Sequence, residues 1–334
     1  MFHESLSDLG RICCGDGKAM KTVVVANPHA SNGRVGRKWA DYARRLETAF
    51  GPVDFLQTAA RSEASILVRR AIRAGAQRIV VVGGDGTVNE AVNGFFENDH
   101  AIGAEVCLAV WPVGTGCDFA RSIGLTGASS EYALDGAEER RIDLGKASFV
   151  DQAGGLASRY FVNISSFGSS GVIVDKVNAT SKLLGAGASY FIGALRGLVA
   201  YRNQAVRLRI DTTLEVEMVI NTVVAANGRY FGGGMMMAPH AVLDDGALDI
   251  VVIGDIGVTA FLRDAPRLYQ GLHLGQAYVR SFRAKQVEVQ PLGKVPVLLE
   301  LDGEQVGRLP VRYEIVPRAL RLLLPRLNAN DGRK

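Results

Sequence analysis

The chain has 334 residues, 48% of them hydrophobic and 22% charged, a globular composition on a length beyond which one core usually splits into two domains. Its formal net charge of +4 is too small for a nucleic-acid binder that works by neutralising many phosphates, and it is compatible with an anionic lipid surface. Cys13, Cys14, Cys107 and Cys117 have neither zinc-ligand spacing nor the density of a disulfide-stapled secreted domain, so reduced thiols and a cytoplasmic protein are expected.

Residues 1–20 carry acids and no apolar core, unlike a secretory signal, and are expected to form a loose extension. KTVVVA, residues 21–26, is a β-branched run of the kind buried on both faces of a parallel sheet. After a basic, glycine-containing loop over 27–37, the pattern gives a helix at 39–50, a strand at 53–57, a helix at 63–74 stopped by Gly75, and a buried strand at 78–82. A helix over 87–96, a strand over 106–111 and a helix over 117–123 continue the alternation, which predicts a doubly wound α/β domain spanning 21–142.

From Asp143 the pattern changes. Segments 159–164, 205–210, 215–226, 248–253, 286–290, 297–301 and 311–316 read as strands separated by Gly, Asp and Pro turns, with helices over 181–201 and 258–272. Residues 143–326 therefore form a β-rich second domain whose last strand is free to return to the first, followed by a tail at 327–334. The longest uncharged apolar stretch, 183–195, falls short of the about 20 residues that a membrane-crossing helix needs.

The strongest motif is IVVVGGDGTVNE, residues 79–90, where a buried strand runs through a glycine-rich turn directly into a helix. Gly83, Gly84 and Gly86 allow close approach of backbone to ligand, and amides at a helix start bind phosphate oxygens. Thr87 followed by Glu90 is a capping-box pattern, while Val88, Ala91, Val92, Phe95 and Phe96 recur at helical spacing and are core. Asp85 is expected to orient either Mg2+ or an attacking hydroxyl. A second strand-loop-helix unit at 109–121 places Gly114, Thr115 and Gly116 at the end of its strand, and the loop after the first strand adds Asn27 and several arginines. An ordinary tight turn would explain one such loop; three at the carboxyl edge of one sheet mark a nucleotide site.

Asn27-Pro28, residues 83–90, PVGTGCDFAR at 112–121, NGRYFGGG at 227–234, Asp244-Asp245-Gly246 and Asp302-Gly303-Glu304 together resemble the diacylglycerol kinase catalytic-domain family, which includes bacterial lipid kinases, sphingosine kinases and ceramide kinases. The likeness covers about residues 21–326, with the motifs in the family's order. It implies a three-layer α/β/α first domain similar to NAD kinase and phosphofructokinase, a sandwich-like second domain, and an active site in the cleft between them. It also implies ATP and Mg2+ as cofactors, a lipid acceptor, and transient peripheral contact with a membrane, with no nucleic-acid partner; a homodimer stays open.

By the same resemblance, Asn27, Thr58, Gly83, Gly84, Asp85, Gly86, Thr87, Val88, Asn89, Gly114 and Thr115 contact ATP, and Asp118 contacts substrate. Val242, Asp245 and Ala247 look like the bacterial family's structural Mg2+ site, a carboxylate and two carbonyls. The general base would come from Asp302 or Glu304, or, in sphingosine-kinase-like schemes, from Asp85. Cys117 stands where the family usually has Asn, and a thiol is the weaker hydrogen-bonding group. The competing functions are an NAD kinase, for which no nicotinamide-loop pattern occurs in the second half, and a nucleotide-binding regulator without turnover. Met235, Met236 and Met237 read as core filling, and His240 and His273 as structural or surface residues. The apolar and basic residues of 181–209 suit an interfacial helix as well as a buried one with a solvated edge.

Overall fold

Thr22–Ala26, the β-branched run, is buried at every position and forms β1 at the centre of a parallel sheet. The computed structural model describes residues 20–114, 117–125, 137–179 and 201–324; of 175–179 it describes the backbone alone. The elements after β1 are α1 (Ala30–Arg37), α2 (Trp39–Phe50), β2 (Val53–Gln57), α3 (Glu63–Arg73), β3 (Arg78–Gly83), α4 (Asp85–Asn93), β4 (Phe96–Glu97), β5 (His100–Ala101), β6 (Cys107–Pro112) and α5 (Asp118–Ser122). Then come β7 (Glu138–Asp151), β8 (Leu156–Phe161), β9 (Ile164–Gly168), α6 (Ser169–Ala179), β10 (Gln204–Ile210) and β11 (Leu214–Ala226). The chain continues through β12 (Tyr230–Phe231), β13 (Met235–Met236), β14 (Leu248–Gly254), α7 (Val258–Gln270), β15 (Val279–Ala284), β16 (Gln286–Pro291), β17 (Leu298–Leu301) and β18 (Glu304–Leu324).

In the first half β2, β1, β3 and β6 run parallel in that order. Alternate residues of β1 feed different cores, Val23 and Val25 packing with α3 and α4, and Val24 and Ala26 with Val35 of α1 and Tyr42 and Leu46 of α2. Helices thus cover both faces, giving the three-layer α/β/α domain. The second half is antiparallel. Its main core joins the inner faces of β7, β8, β10, β11, β16 and β18, and a smaller one lies between β14 and α7. Met237 belongs to that smaller core, and His273 is buried with its ring nitrogen 3.0 Å from the Met237 carbonyl, so both are structural.

The two halves share a single 14-stranded sheet. β18 pairs antiparallel with β16 and along its length with β7, and at its far end Arg321 and Leu322 pair in parallel with Cys107 and Leu108 of β6. Position 143, where the sequence pattern changes, lies inside β7.

Several local readings differ from the structure. The loop expected over 27–37 contains α1, broken by three successive residues of positive φ, Ser31, Asn32 and Gly33. The capping box of Thr87 and Glu90 does not form: α4 starts two residues earlier, behind Gly84, and Glu90 instead accepts the amides of Ser62 (2.9 Å) and Ala64 (3.2 Å) at the start of α3. β7 and α6 were not legible from pattern, β7 because its charged start, EERR, hides the alternation that follows. The helix expected over 181–201 falls, apart from Tyr201, outside the described residues, as do residues 1–19. No helix among the described residues is long and apolar enough to cross a membrane.

Leu322 is fully buried in the core under α3 and α4 while belonging to the chain's last strand. Leu322→Ala should cost about 2–5 kcal/mol, read as a lowered urea midpoint, and should loosen the first half although the residue lies far from it in sequence.

Candidate active site

The glycine-rich turn between β3 and α4 is a steric necessity. A Cβ on Gly83 would stand 2.7 Å from Thr87 Cβ and Oγ1, so a side chain there would displace the first turn of α4. Asn27 joins the same corner: its amide N–H donates to the Val82 carbonyl (3.0 Å) and its Nδ2 to Thr87 Oγ1 (3.2 Å). Thr58, just past β2, donates its N–H to the Ala26 carbonyl (2.9 Å) and is buried. Gly114 lies in the loop that follows the adjacent β6, and Thr115 lies outside the described residues. The amides at the start of α4 thus open at the carboxyl edge of the sheet, beside three loops.

Four carboxylates converge on this edge. Asp85, the first residue of α4, accepts the N–H groups of Asp118 (2.9 Å) and Phe119 (3.0 Å) at the start of α5. Asp118 accepts Arg121 Nη1 (2.7 Å) on one oxygen and the Gly233 N–H (2.7 Å) on the other. Asp302 takes the N–H groups of Asn163 (3.1 Å) and Ile164 (2.9 Å) on Oδ1, and those of Val162 (2.9 Å) and the Asn89 side chain (2.7 Å) on Oδ2. Glu304 meets Arg159 Nη2 at 2.8 Å and hangs over the start of α4, where a Cβ on Gly86 would lie 3.4 Å from its Oε1.

Burial pushes the Asp85 carboxyl up to about 7, and the nearby Asp118 and Asp302 add to this against the pull of the two α5 amides. Burial likewise raises Asp118, against the Gly233 amide and Arg121, and Asp302, against its four donors. Cys117 is pushed up to about 12 by burial and by Asp85 and Asp118, so it is a neutral thiol beside them.

The chain matches the diacylglycerol kinase catalytic domain over residues 21–147 and the YegS C-terminal NAD kinase beta sandwich-like domain over 163–324. A Chromohalobacter salexigens protein named probable lipid kinase YegS-like is 32% identical over 262 residues, 78% of this chain and 79% of that one. The chain belongs to the diacylglycerol kinase catalytic-domain family. A diacylglycerol kinase of Mycobacterium tuberculosis is 29% identical over 310 residues, 92% of this chain and 96% of its own. A crystal structure of a diacylglycerol kinase from Bacillus anthracis has the same fold, with a TM-score of 0.65 at 21% identity over 92% of this chain and 98% of that one.

Of the residues that the family resemblance implies, Asn27, Gly83, Gly84, Asp85, Gly86, Thr87, Asp118, Asp302 and Glu304 meet at this edge. Two offer no free side chain there. Asn89 is fully buried and spends its amide on Asp302 and the Tyr160 carbonyl (3.0 Å), and the Val88 side chain lies in the core. The loop 242–247, expected from the resemblance to hold a structural Mg2+ through Val242, Asp245 and Ala247, has its one carboxylate engaged by groups of the chain itself. The Asp245 carboxylate is paired with the Arg283 guanidinium on one oxygen and accepts the Ala247 N–H (3.2 Å) on the other, and the Gly246 N–H goes to Asp143 Oδ2 (2.7 Å). Arg159 and Asn163 were missed: each touches an expected residue, yet each lies far from it along the chain with no local pattern; Gly233 lies in the 227–234 motif but was given no role.

Two outcomes follow. Without nucleotide, Mg2+ or a chelator should leave the melting temperature unchanged, and Arg283→Ala should cost no more than about 1 kcal/mol because the pair is partly exposed; a rise in melting temperature with Mg2+ alone would show a cation displacing Arg283. Asp85 holds a proton in the fold between its ordinary value of 3.8 and about 7, so its contribution to stability is full below about pH 4 and is lost as pH rises through 7. The urea midpoint should therefore fall between about pH 5 and 8 less steeply in Asp85→Asn than in the unmodified protein.

Proposed function

We propose that the chain is an ATP-dependent lipid kinase that transfers the γ-phosphoryl group to a hydroxyl of a membrane lipid. The observation that carries this is the carboxylate of Glu304 suspended over the first turn of α4: a proton acceptor beside a phosphate-binding helix start is the minimum needed for phosphoryl transfer to an alcohol. The relatives' names, lipid kinase and diacylglycerol kinase, support a lipid as the alcohol.

In this reading Asn27, Thr58, Gly83, Gly84, Gly86, Thr87, Gly114 and Thr115 line the nucleotide. The backbone of Val88 and Asn89 continues the helix start behind them. ATP arrives as its Mg2+ complex, whose cation neutralises charge on the departing phosphates. The acceptor oxygen forms its bond to the γ-phosphorus as the bond to the ADP oxygen breaks, and Glu304 takes the hydroxyl proton. Glu304 suits this role better than Asp302, whose two oxygens already accept four N–H donors. Asp85 and Asp118, each with both oxygens held by N–H groups, fix the start of α5 and the Gly233 loop beside the reacting groups, with Arg121 and Arg159 as the nearby cations. A lipid acceptor places the protein at the cytoplasmic membrane surface as a peripheral enzyme.

The test is transfer of labelled γ-phosphate from ATP and Mg2+ to diacylglycerol, ceramide, sphingosine and phosphatidylglycerol in mixed micelles, with NAD in parallel. A labelled lipid is expected, and labelled NADP would overturn the reading. Glu304→Gln should lower transfer by about 10²–10⁴ with nucleotide binding retained.

A further inference from the structure

Behind the Asp302–Glu304 turn lies a chain of hydroxyl groups that phosphoryl transfer does not use. Glu300, in β17, is completely buried, and its Oε2 accepts the N–H of Gly303 in the turn at 2.8 Å. Its Oε1 is 2.5 Å from Ser166 Oγ in β9. From there the contacts run to Ser170 Oγ in the first turn of α6 (2.7 Å), to Thr222 Oγ1 in β11 (2.9 Å), and to the Phe167 carbonyl oxygen (2.9 Å).

Each of these four oxygen-to-oxygen contacts needs one proton. Ser166, Ser170 and Thr222 supply three, and the Phe167 carbonyl supplies none. The fourth proton has one source, the Glu300 carboxyl. With Oε1 protonated, donation runs in one direction from Glu300 to Ser166, Ser170, Thr222 and Phe167, and Oε2 stays free to accept from Gly303.

We infer that Glu300 is a neutral acid in the folded protein and a positioning residue for the turn that carries Glu304, holding that turn by the Gly303 amide while anchoring the start of α6 through Ser166 and Ser170. The role in transfer rests on the lipid-kinase reading; the protonation does not. The surroundings favour the neutral form. Burial pushes the carboxyl up to about 8, Asp302 adds to this, and the Ser166 hydroxyl and the Gly303 amide pull less strongly the other way. The other titratable group facing it is Tyr313 of β18, whose hydroxyl lies 2.8 Å from Ser165 Oγ, itself a donor to the Glu300 carbonyl (2.9 Å). Loss of the proton would leave one of the four contacts without a hydrogen and put a second buried charge beside Asp302.

The experiment has two arms. Infrared difference spectra of the intact chain, unmodified against Glu300→Gln, should show near neutral pH a protonated-carboxyl carbonyl band that the variant lacks; loss of an ionised carboxylate band instead would overturn the inference whatever the enzyme does. In the transfer assay, activity of the unmodified protein should fall about tenfold per pH unit above roughly pH 8, whereas Glu300→Gln, whose amide donates to Ser166 and whose carbonyl accepts from Gly303, should keep neutral-pH transfer and lose that fall. Glu300→Ala should lower kcat with little change in the KM for nucleotide. An alkaline fall persisting unchanged in Glu300→Gln would overturn the positioning role. If no lipid is labelled at all, the infrared arm still decides the protonation, so failure of the kinase reading is told apart from failure of this one.

Discussion

The carboxylate of Asp302 is the point on which the arrangement of the site depends. Its two oxygens take one donor from α4 in the first half, Asn89, and three consecutive amides where the chain enters β9 in the second. A buried carboxylate is costly unless its lone pairs are filled, and here all the filling comes from rigid backbone and one fixed amide. The start of α4 and the β17–β18 turn are thereby held in a single register. That register keeps Glu304 over Gly86 and Asp302 close enough to Asp85 to help raise its carboxyl.

The same economy of cations runs through the rest of the site. Asp85 is held by two α5 amides and Asp118 by a Gly233 amide and Arg121, so acid groups outnumber cations where these elements meet. Amides placed by helix starts cost no side-chain entropy and leave the carboxylates free to respond when a cation-bearing ligand enters. The loop at 242–247 took the opposite solution, with Arg283 supplying fixed positive charge on Asp245.

What was legible in the sequence follows physical range. The parallel strands were readable because burial on both faces writes itself into consecutive β-branched residues, as in 22–26 and 78–82. The glycine turn was readable because its constraint is local, Gly83 against Thr87 four residues on. The partners of Glu304 and Asp302 were not, since Arg159 and residues 162–164 come from a different hairpin and meet the turn only through the sheet register. The Thr87 and Glu90 pair shows a local pattern overridden by tertiary contact: the carboxylate that could have capped its own helix caps α3 instead. Glu300 looked like one more residue in a strand. Its interest comes from a proton count across β9, α6 and β11 that no single segment contains.

The sharing of β18 between the halves also constrains how the protein is made. Until Arg321 and Leu322 arrive, β6 is the open edge of a largely apolar parallel sheet, an edge of the kind that recruits other chains. At roughly 5–20 residues per second, the strand that covers it follows β6 from the ribosome by about 10–40 seconds. The first half, first to be synthesised, is therefore among the last parts to be finished, and its exposed edge in the interval is where chaperones and crowding would act on the newborn chain.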